Sequence, residues 1–482
     1  MMEVLAPVWP PLLAAFQIGV AAVASAHAVL FKRDVRAAIG WIGLIWLVPF
    51  GGSMLYLLFG INRIRRRASG LRGRRLDPGK GSALGPDFAR RATPELPRGS
   101  GHLRSVTHLL DRITDAPLTL GNRIRPMCGG REAYAAMLEA IHGANTTIGL
   151  ATYIFDCDEI GREFVLALKQ AVQRGVVVRV LVDGVGARYS RPSIVGVLRE
   201  HGVSVAEFLP SFLPLSIHYA NLRNHRKLLV IDGSIGFTGG MNIRNGHLSR
   251  DPSAGISDVH FRLEGPVVAE MVRTFAADWT FVSGEALASN AWLPLLEGAG
   301  GVPARGIASG PDEAFERVRW TLLAALSQAR RRVRIVTPYF LPDTSLSSAL
   351  QLAALRGVEV DIVLPEVSNL RLMQWAMLAK LHPFLMRGCR IWLTPPPFDH
   401  AKLMTVDCAW CLIGSANWDQ RSLRLNFEFD VECYGSEFTT ILDQLIEDRI
   451  ARAKPMGAEM IETRRLAFRL RDNAAWLLSP YL

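Results

Sequence analysis

Hydrophobic positions fall into three regimes along the chain. Residues 8–31 are apolar almost throughout, broken only by Gln17, Ser25 and His27, and residues 37–61 carry no charge at all. Each run reaches the ~20 residues that a helix needs to cross a hydrocarbon core of about 30 Å. Trp9, Trp41, Trp46 and Tyr56 suit the membrane interface. The pattern predicts a membrane anchor over residues 1–62, a hairpin of two helices at about 8–31 and 37–61. Residues 63–120 lose this periodicity and fill with Gly, Pro and Arg, which reads as a basic linker lying along an anionic leaflet.

From residue 121 the pattern becomes strand, helix, strand, and it does so twice. Residues 147–153 form an apolar strand-like run, 161–174 a helical stretch, and 175–182 a β-branched central strand. Residues 334–340, 346–356 and 357–364 repeat that order. Strands alternating with helices indicate α/β layers with helices on the sheet faces. The spacing of the repeat is far too long for a solenoid. It predicts two related α/β sandwich domains, 121–300 and 301–482, about a pseudo-two-fold axis. The basic tail after residue 449, with Leu466, Phe468, Leu470, Trp476 and Leu477, reads as the last helix of the second half rather than a bilayer-lying segment.

Charge sharpens the membrane reading. The 482 residues hold 55 Lys and Arg against 44 Asp and Glu, a net of +11. Residues 62–80 alone carry seven Arg and one Lys against one Asp, directly behind an apolar run. That placement favours anionic lipid over nucleic acid as the partner. The basic residues beyond the second span outnumber those between the spans (Lys32, Arg33, Arg36), so the N-terminus and the body are expected in the cytoplasm. A cleaved signal peptide is disfavoured, because Met-Met-Glu lacks a basic start and a second span follows. Six cysteines do not form a disulfide framework, and Cys408 and Cys411 sit in an apolar run that reads as buried strand.

One polar string occurs twice. His225, Lys227, Asp232, Gly239, Gly240 and Asn242 follow the pattern H-x-K-x4-D-x6-G-[GS]-x-N, and His400, Lys402, Asp407, Gly414, Ser415 and Asn417 follow it again, 175 residues later. Residues i and i+2 of a strand share a face, so each copy is expected to present one imidazole and one ammonium together. Two His, two Lys and two Asn suit one composite site for a phosphodiester. The lysines supply charge and Asn242 and Asn417 amide donors to the phosphate oxygens; one His attacks phosphorus and the other moves protons. Asp232 and Asp407 belong to the candidate catalytic set, and their odd spacing reads them as anchors of the motif turn rather than bases. No metal motif is present in the sequence, and no metal or cofactor is expected.

At these motifs the chain resembles the phospholipase D superfamily, and specifically the bacterial cardiolipin synthase branch. WLVPFGGSMLYLLFG at 46–60 resembles that family's second membrane helix. YIFDCDEIG at 153–161 and TPYFLPD at 337–343 resemble its strand-end motifs, and RSLRLNFE at 421–428 and LSPYL at 478–482 its C-terminal signatures. The resemblance implies two phospholipase D-like domains in a multi-pass protein of the bacterial inner membrane. It implies transfer of a phosphatidyl group from one phosphatidylglycerol to a second, with release of glycerol. It makes His225 the nucleophile and His400 the acid/base. It also implies an acidic residue after each motif that orients the imidazole, which falls on Glu428 and Asp258. The string before Asp258 departs from the family's usual one, which leaves the acceptor open. Hydrolysis by a membrane-bound phospholipase D is the alternative with the same motifs; a nuclease fits the charge but not the apolar spans.

Overall fold

The computed structural model describes residues 9–32, 35–60, 95–210, 222–249, 251, 253–287, 290–311 and 314–479. The basic stretch at 62–80 and the end of the C-terminal signature lie outside them. The chain divides into two compact units, residues 1–67 and 68–482.

In the first unit a 23-residue helix, Trp9–Phe31, meets the expectation for a span. At 1.5 Å per residue it measures roughly 34 Å, enough for the hydrocarbon core. It packs through small residues: Ala21, Ala24 and Ala28 are buried with Ile45 and Tyr56, while Leu13, Phe16, Val23 and Leu30 face outward. The expected second continuous helix over 37–61 is corrected. The helix Val35–Leu47 stops after 13 residues, and the path resumes as the short helix Gly51–Leu55 and a wider turn at Tyr56–Gly60. Pro49 explains the stop, because it lacks an N–H and disfavours helical geometry in the residue before it. Phe50 then takes a positive φ of 55°. Two polar bonds close the hairpin: Trp46 Nε1 donates to Ser25 Oγ at 3.0 Å, and His27 Nδ1 lies 2.8 Å from Tyr56 Oη.

In the second unit, the first half carries β1 (Thr119–Cys128), β2 (Thr147–Thr152), β3 (Val177–Asp183), β4 (Ser204–Phe208), β5 (Arg223–Asn224), β6 (Leu228–Ile231), β7 (Ile235–Gly239), β8 (Ile256–Ser257) and β9 (Val259–Glu264). The second carries β10 (Val302–Ser309), β11 (Arg332–Val336), β12 (Phe340–Leu341), β13 (Glu359–Pro365), β14 (Arg390–Thr394), β15 (Phe398–Asp399), β16 (Leu403–Val406), β17 (Trp410–Gly414), β18 (Trp418–Asp419), β19 (Asn426–Tyr434) and β20 (Lys454–Pro455). Among the described residues one sheet runs β20-β14-β13-β11-β16-β17-β19-β10-β1-β9-β7-β6-β2-β3-β4. Set aside the edge strand β20 and the order is a palindrome, with β1 and β10 antiparallel at its centre through Thr119↔Ala304 and Asn122↔Val302. The two α/β sandwiches are thus pseudo-symmetric and share a continuous sheet. The apolar runs read from the sequence fall on interior strands; β2 is buried at all six positions, as expected for a strand covered on both faces.

Three cores follow. One lies in each half, and a third is shared, joining Phe261, Met271 and Phe275 of the first half with Leu403, Phe429 and Leu442 of the second. The linker expected over 63–120 is corrected where it is described. Residues Arg104–Ile113 form a helix, and Leu103, Val106 and Leu110 are buried in the second half's core with Val318 and Leu322. Their spacing of three and four residues is an apolar helical stripe, masked in sequence by flanking Arg and His.

Candidate active site

Each H-x-K string lies in an extended link just before a strand, not inside one. β5 ends at Asn224 and β6 begins at Leu228; β15 ends at Asp399 and β16 begins at Leu403. The short strands that precede the histidines pair with the opposite half. β5 runs beside β19, and His225 N donates to Phe427 O at 2.9 Å. β15 runs beside β8, and His400 N donates to Ser257 O at 2.7 Å.

This crossing sets the side chains. Both carboxylate oxygens of Glu428 lie 3.0 Å from His225 Nδ1, and Asp258 Oδ2 lies 2.9 Å from His400 Nδ1. Each imidazole is therefore held by the acid that follows the other motif. Lys227 Nζ donates to His225 O at 2.7 Å and Lys402 Nζ to His400 O at 2.5 Å, so each ammonium folds back beside its own histidine. Tyr153 and Tyr339, from the two strand-end motifs, stack edge-on to His225 and His400 at 5.3 Å and 6.4 Å between centroids.

The acids are themselves positioned. Glu428 accepts from Ser415 Oγ at 2.6 Å and Asn426 Nδ2 at 3.0 Å. At the matching place in the first half, a Cβ on Gly240 would sit 2.5 Å from both Asp258 oxygens. That contact accounts for the [GS] position of the motif: glycine where the carboxylate comes close, serine where a hydroxyl reaches it. Beneath the histidines the two halves use opposite charge patterns. Buried Arg226 pairs with Asp278 on the helix Val268–Ser283 and donates to Glu428 O and Ser309 O, at 3.0 and 3.1 Å. In the second half it is the strand that carries the acid, Asp399, and the helix Ser436–Ile450 the base, Arg449, 2.7 Å apart.

Burial governs the charges. It holds His225 well below the ordinary imidazole range, with Lys227, Lys402 and Arg421 adding to the effect. It does the same to His400, helped by Lys402, Lys227 and His225. Burial lowers Lys227 to about 7, with the Lys402 ammonium adding to the effect, and lowers Lys402 to about 8 against the pull of Asp258 and Glu428. Burial raises Glu428 to about 7 and Asp258 to about 6, against the pull of the lysines. The histidines and lysines of both halves thus lie close enough to oppose one another's protonation. With their protonation so opposed the imidazoles are neutral near pH 7, and an Nδ1–H facing a carboxylate makes Nε2 the basic nitrogen.

Of the remaining residues singled out from sequence, Asn242 and Asn417 are buried at the ends of their motifs. Asn242 Oδ1 accepts from Ile154 N at 3.1 Å, and Asn417 Nδ2 donates to Ser422 Oγ at 3.2 Å, so each spends part of its amide on local structure. Asp232 and Asp407 are not brought to the imidazoles. Asp232 accepts from the backbone N–H of Asn145, Thr146 and Thr147 at 2.7–2.9 Å. Asp407 accepts from those of Arg330, Arg331 and Arg332 at 2.7–2.9 Å and from His102. Both adopt positive φ, 50° and 56°, a conformation that Asp tolerates better than most residues. Sequence reasoning missed Ser415 and Asn426 as supports of Glu428; the [GS] position was the available signal.

The sequence matches the family described as "Cardiolipin synthase, PLD-like domain" over residues 137–279 and 322–450. The chain belongs to that family. Residues 19–60 match "Phospholipase_D-nuclease N-terminal". A cardiolipin synthase of Geobacillus thermodenitrificans is 32% identical over 464 residues, covering 94% of this chain and 90% of that protein. The major cardiolipin synthase ClsA of Bacillus subtilis is 32% identical over 463 residues, covering 94% and 96%. A solved phosphatidylserine synthase from Haemophilus influenzae shares the fold, with a TM-score of 0.58 at 14% identity over 79% of this chain and all of that one. As in other members of the cardiolipin synthase family, phospholipids are the substrate class, and the apolar N-terminal helix fits membrane association.

Proposed function

We propose that the protein is a cardiolipin synthase, a phosphatidyltransferase that joins two molecules of phosphatidylglycerol and releases glycerol. The observation that carries the mechanism is the crossed pairing of His225 with Glu428 and His400 with Asp258 around two buried lysines. A phosphodiester entering between them meets Lys227 and Lys402, and its charge restores their protons and draws a further proton onto His400 Nε2, while His225 Nε2 stays unprotonated. His225 Nε2 attacks phosphorus; the bond to the glycerol oxygen breaks, and that oxygen takes a proton from His400. Glu428 stabilises the imidazolium that forms on His225. A hydroxyl of the second phosphatidylglycerol then gives its proton to His400 and attacks the phosphatidyl-histidine, which frees His225. Asn242 and Asn417 complete the polar wall around the phosphate. Asp232 and Asp407 act on the scaffold alone.

Residues 1–62 anchor the chain as a hairpin, with the loop between the apolar segments outside and the catalytic body in the cytoplasm. Protease treatment of inverted vesicles is expected to digest the body, and treatment of spheroplasts to spare it.

The deciding experiment supplies labelled phosphatidylglycerol to the purified protein in vesicles. Cardiolipin and glycerol are expected. Phosphatidic acid and glycerol as the main products would make water the acceptor and overturn the transferase reading. Quenching during turnover is expected to trap a phosphatidyl group on His225; a trapped group on neither histidine would replace the covalent route with direct displacement.

A further inference from the structure

The C-terminal helix Leu466–Leu477 is amphipathic in the wrong sense for a helix on a soluble body. Its inward face carries Asp472, 2% exposed, with Ala475. Asp472 is clamped by Arg464 at 2.8 Å and Arg471 at 2.7 Å. Arg471 lies over the ring of Trp375 at 4.3 Å, and Lys380 over that of Trp476 at 3.3 Å. These contacts seat the helix on its neighbour through polar and cation–π contacts. Its outward face carries a stripe of three leucines with Asn473 beside it. Leu466, Leu470 and Leu477 are 69%, 62% and 69% exposed, and at 100° per residue they fall within roughly 40° of arc. Exposed Arg465 and Arg469 line one side of the stripe. From Arg464 to Leu478 the segment carries four Arg against one Asp.

A leucine stripe left in water gains nothing, and the buried aspartate fixes the helix so that the stripe cannot turn inward. A leucine line with arginines along one side matches the boundary layer of an anionic bilayer, where leucines enter the acyl region and guanidinium groups meet phosphates. We infer that the helix Leu466–Leu477 docks the catalytic body onto an anionic lipid surface through Leu466, Leu470 and Leu477. This rests on the reading that the substrate is a bilayer lipid. It gives the enzyme a second membrane contact, one that sets the body's attitude to the lipid rather than tethering the chain.

The test uses the full chain reconstituted in vesicles of phosphatidylglycerol and phosphatidylcholine. Leu470 is replaced by the photoreactive p-benzoylphenylalanine, and in a control so is Leu166, which is 50% exposed on the helix Glu159–Gln173. Illumination is expected to give at least tenfold more lipid adduct from position 470 than from position 166. The yield is expected to drop severalfold in vesicles of phosphatidylcholine alone. Equal yields at the two positions would overturn the inference, as would adducts to protein, whether a second copy or this chain's own N-terminal segment. The readout needs no turnover, so it stands apart from the failure of the proposed reaction. A variant with Leu466→Ser, Leu470→Ser and Leu477→Ser changes only exposed positions. It is expected to need at least fivefold more surface lipid for half-maximal rate, with kcat unchanged; an unchanged lipid requirement would also refute the docking role.

Discussion

Replacing Glu428 with Gln probes the site at its centre. The side chain is fully buried, and three donors converge on its two oxygens: His225 Nδ1–H, Ser415 Oγ–H and Asn426 Nδ2–H. Gln keeps the volume but offers one carbonyl oxygen and an NH2 group. If the carbonyl faces Asn426, the NH2 faces Ser415, whose hydroxyl can turn to accept it, and His225 is left between the two. The imidazole then either keeps a neutral bond to the carbonyl or accepts from the NH2. The second arrangement moves the ring proton to Nε2 and removes the nucleophilic lone pair. Loss of the charge-assisted bond alone costs about 1–2 kcal/mol. The wrong tautomer adds the kind of penalty known for an Asp to Asn change behind a catalytic His, up to about 10^4 in rate. Together the expected fall in kcat is about 10^2 to 10^4, or about 3–5 kcal/mol. The assay is cardiolipin formation in vesicles, with quench-flow of the phosphatidyl-histidine to show that its formation is the slowed step. The pH profile gives a second signature. Because Glu428, raised to about 7 by burial, must be ionised in the free enzyme, kcat/KM is expected to fall as pH drops below about 7, and E428Q is expected to lose that limb. A kcat within threefold of wild type would refute the reasoning.

Two further outcomes are expected. Binding of a non-reactive phosphodiester near pH 7.5 is expected to take up protons, because Lys227 and Lys402, lowered to about 7 and 8, are partly neutral in the free enzyme; their uptake fades below about pH 6, where both already carry protons. Calorimetry in buffers of different ionisation enthalpy reads this directly, and proton release at pH 7.5 would contradict it. Asp232→Ala removes the acceptor for three backbone N–H groups and is expected to cost about 2–4 kcal/mol of stability, seen as a lower Tm, with kcat of the folded enzyme within threefold; a hundredfold loss of kcat at unchanged Tm would return the residue to the chemistry.

The readings that depended on local pattern were legible. β6 is an unbroken apolar run and β2 an uncharged one, while β3 and β13 are apolar apart from Arg179, Asp183, Glu359 and Asp361, and burial on both faces is what such runs encode. The H-x-K strings stood out because two copies with one spacing are a statement about chemistry that needs no fold. Legibility failed where a distant partner supplied the reason. Leu103, Val106 and Leu110 looked like part of a linker because the core that buries them belongs to the second half. The second apolar segment looked continuous because its composition is uniform; the single Pro49 divides it.

The sequence by itself determined which residues carry charge and nucleophilicity, and that they come in two equivalent sets. It also determined the apolar strands on which each set is mounted, since hydrophobic periodicity is a property of neighbours in the chain. Only the tertiary structure decided how the sets are wired. Glu428 and Asp258 follow His400 and His225 in sequence but serve His225 and His400 in space. The cause is the antiparallel meeting of β1 and β10, which turns the two halves face to face and lays β5 along β19 and β15 beside β8. No spacing within one motif can specify a hydrogen bond whose two ends are joined only by the packing of one domain against the other.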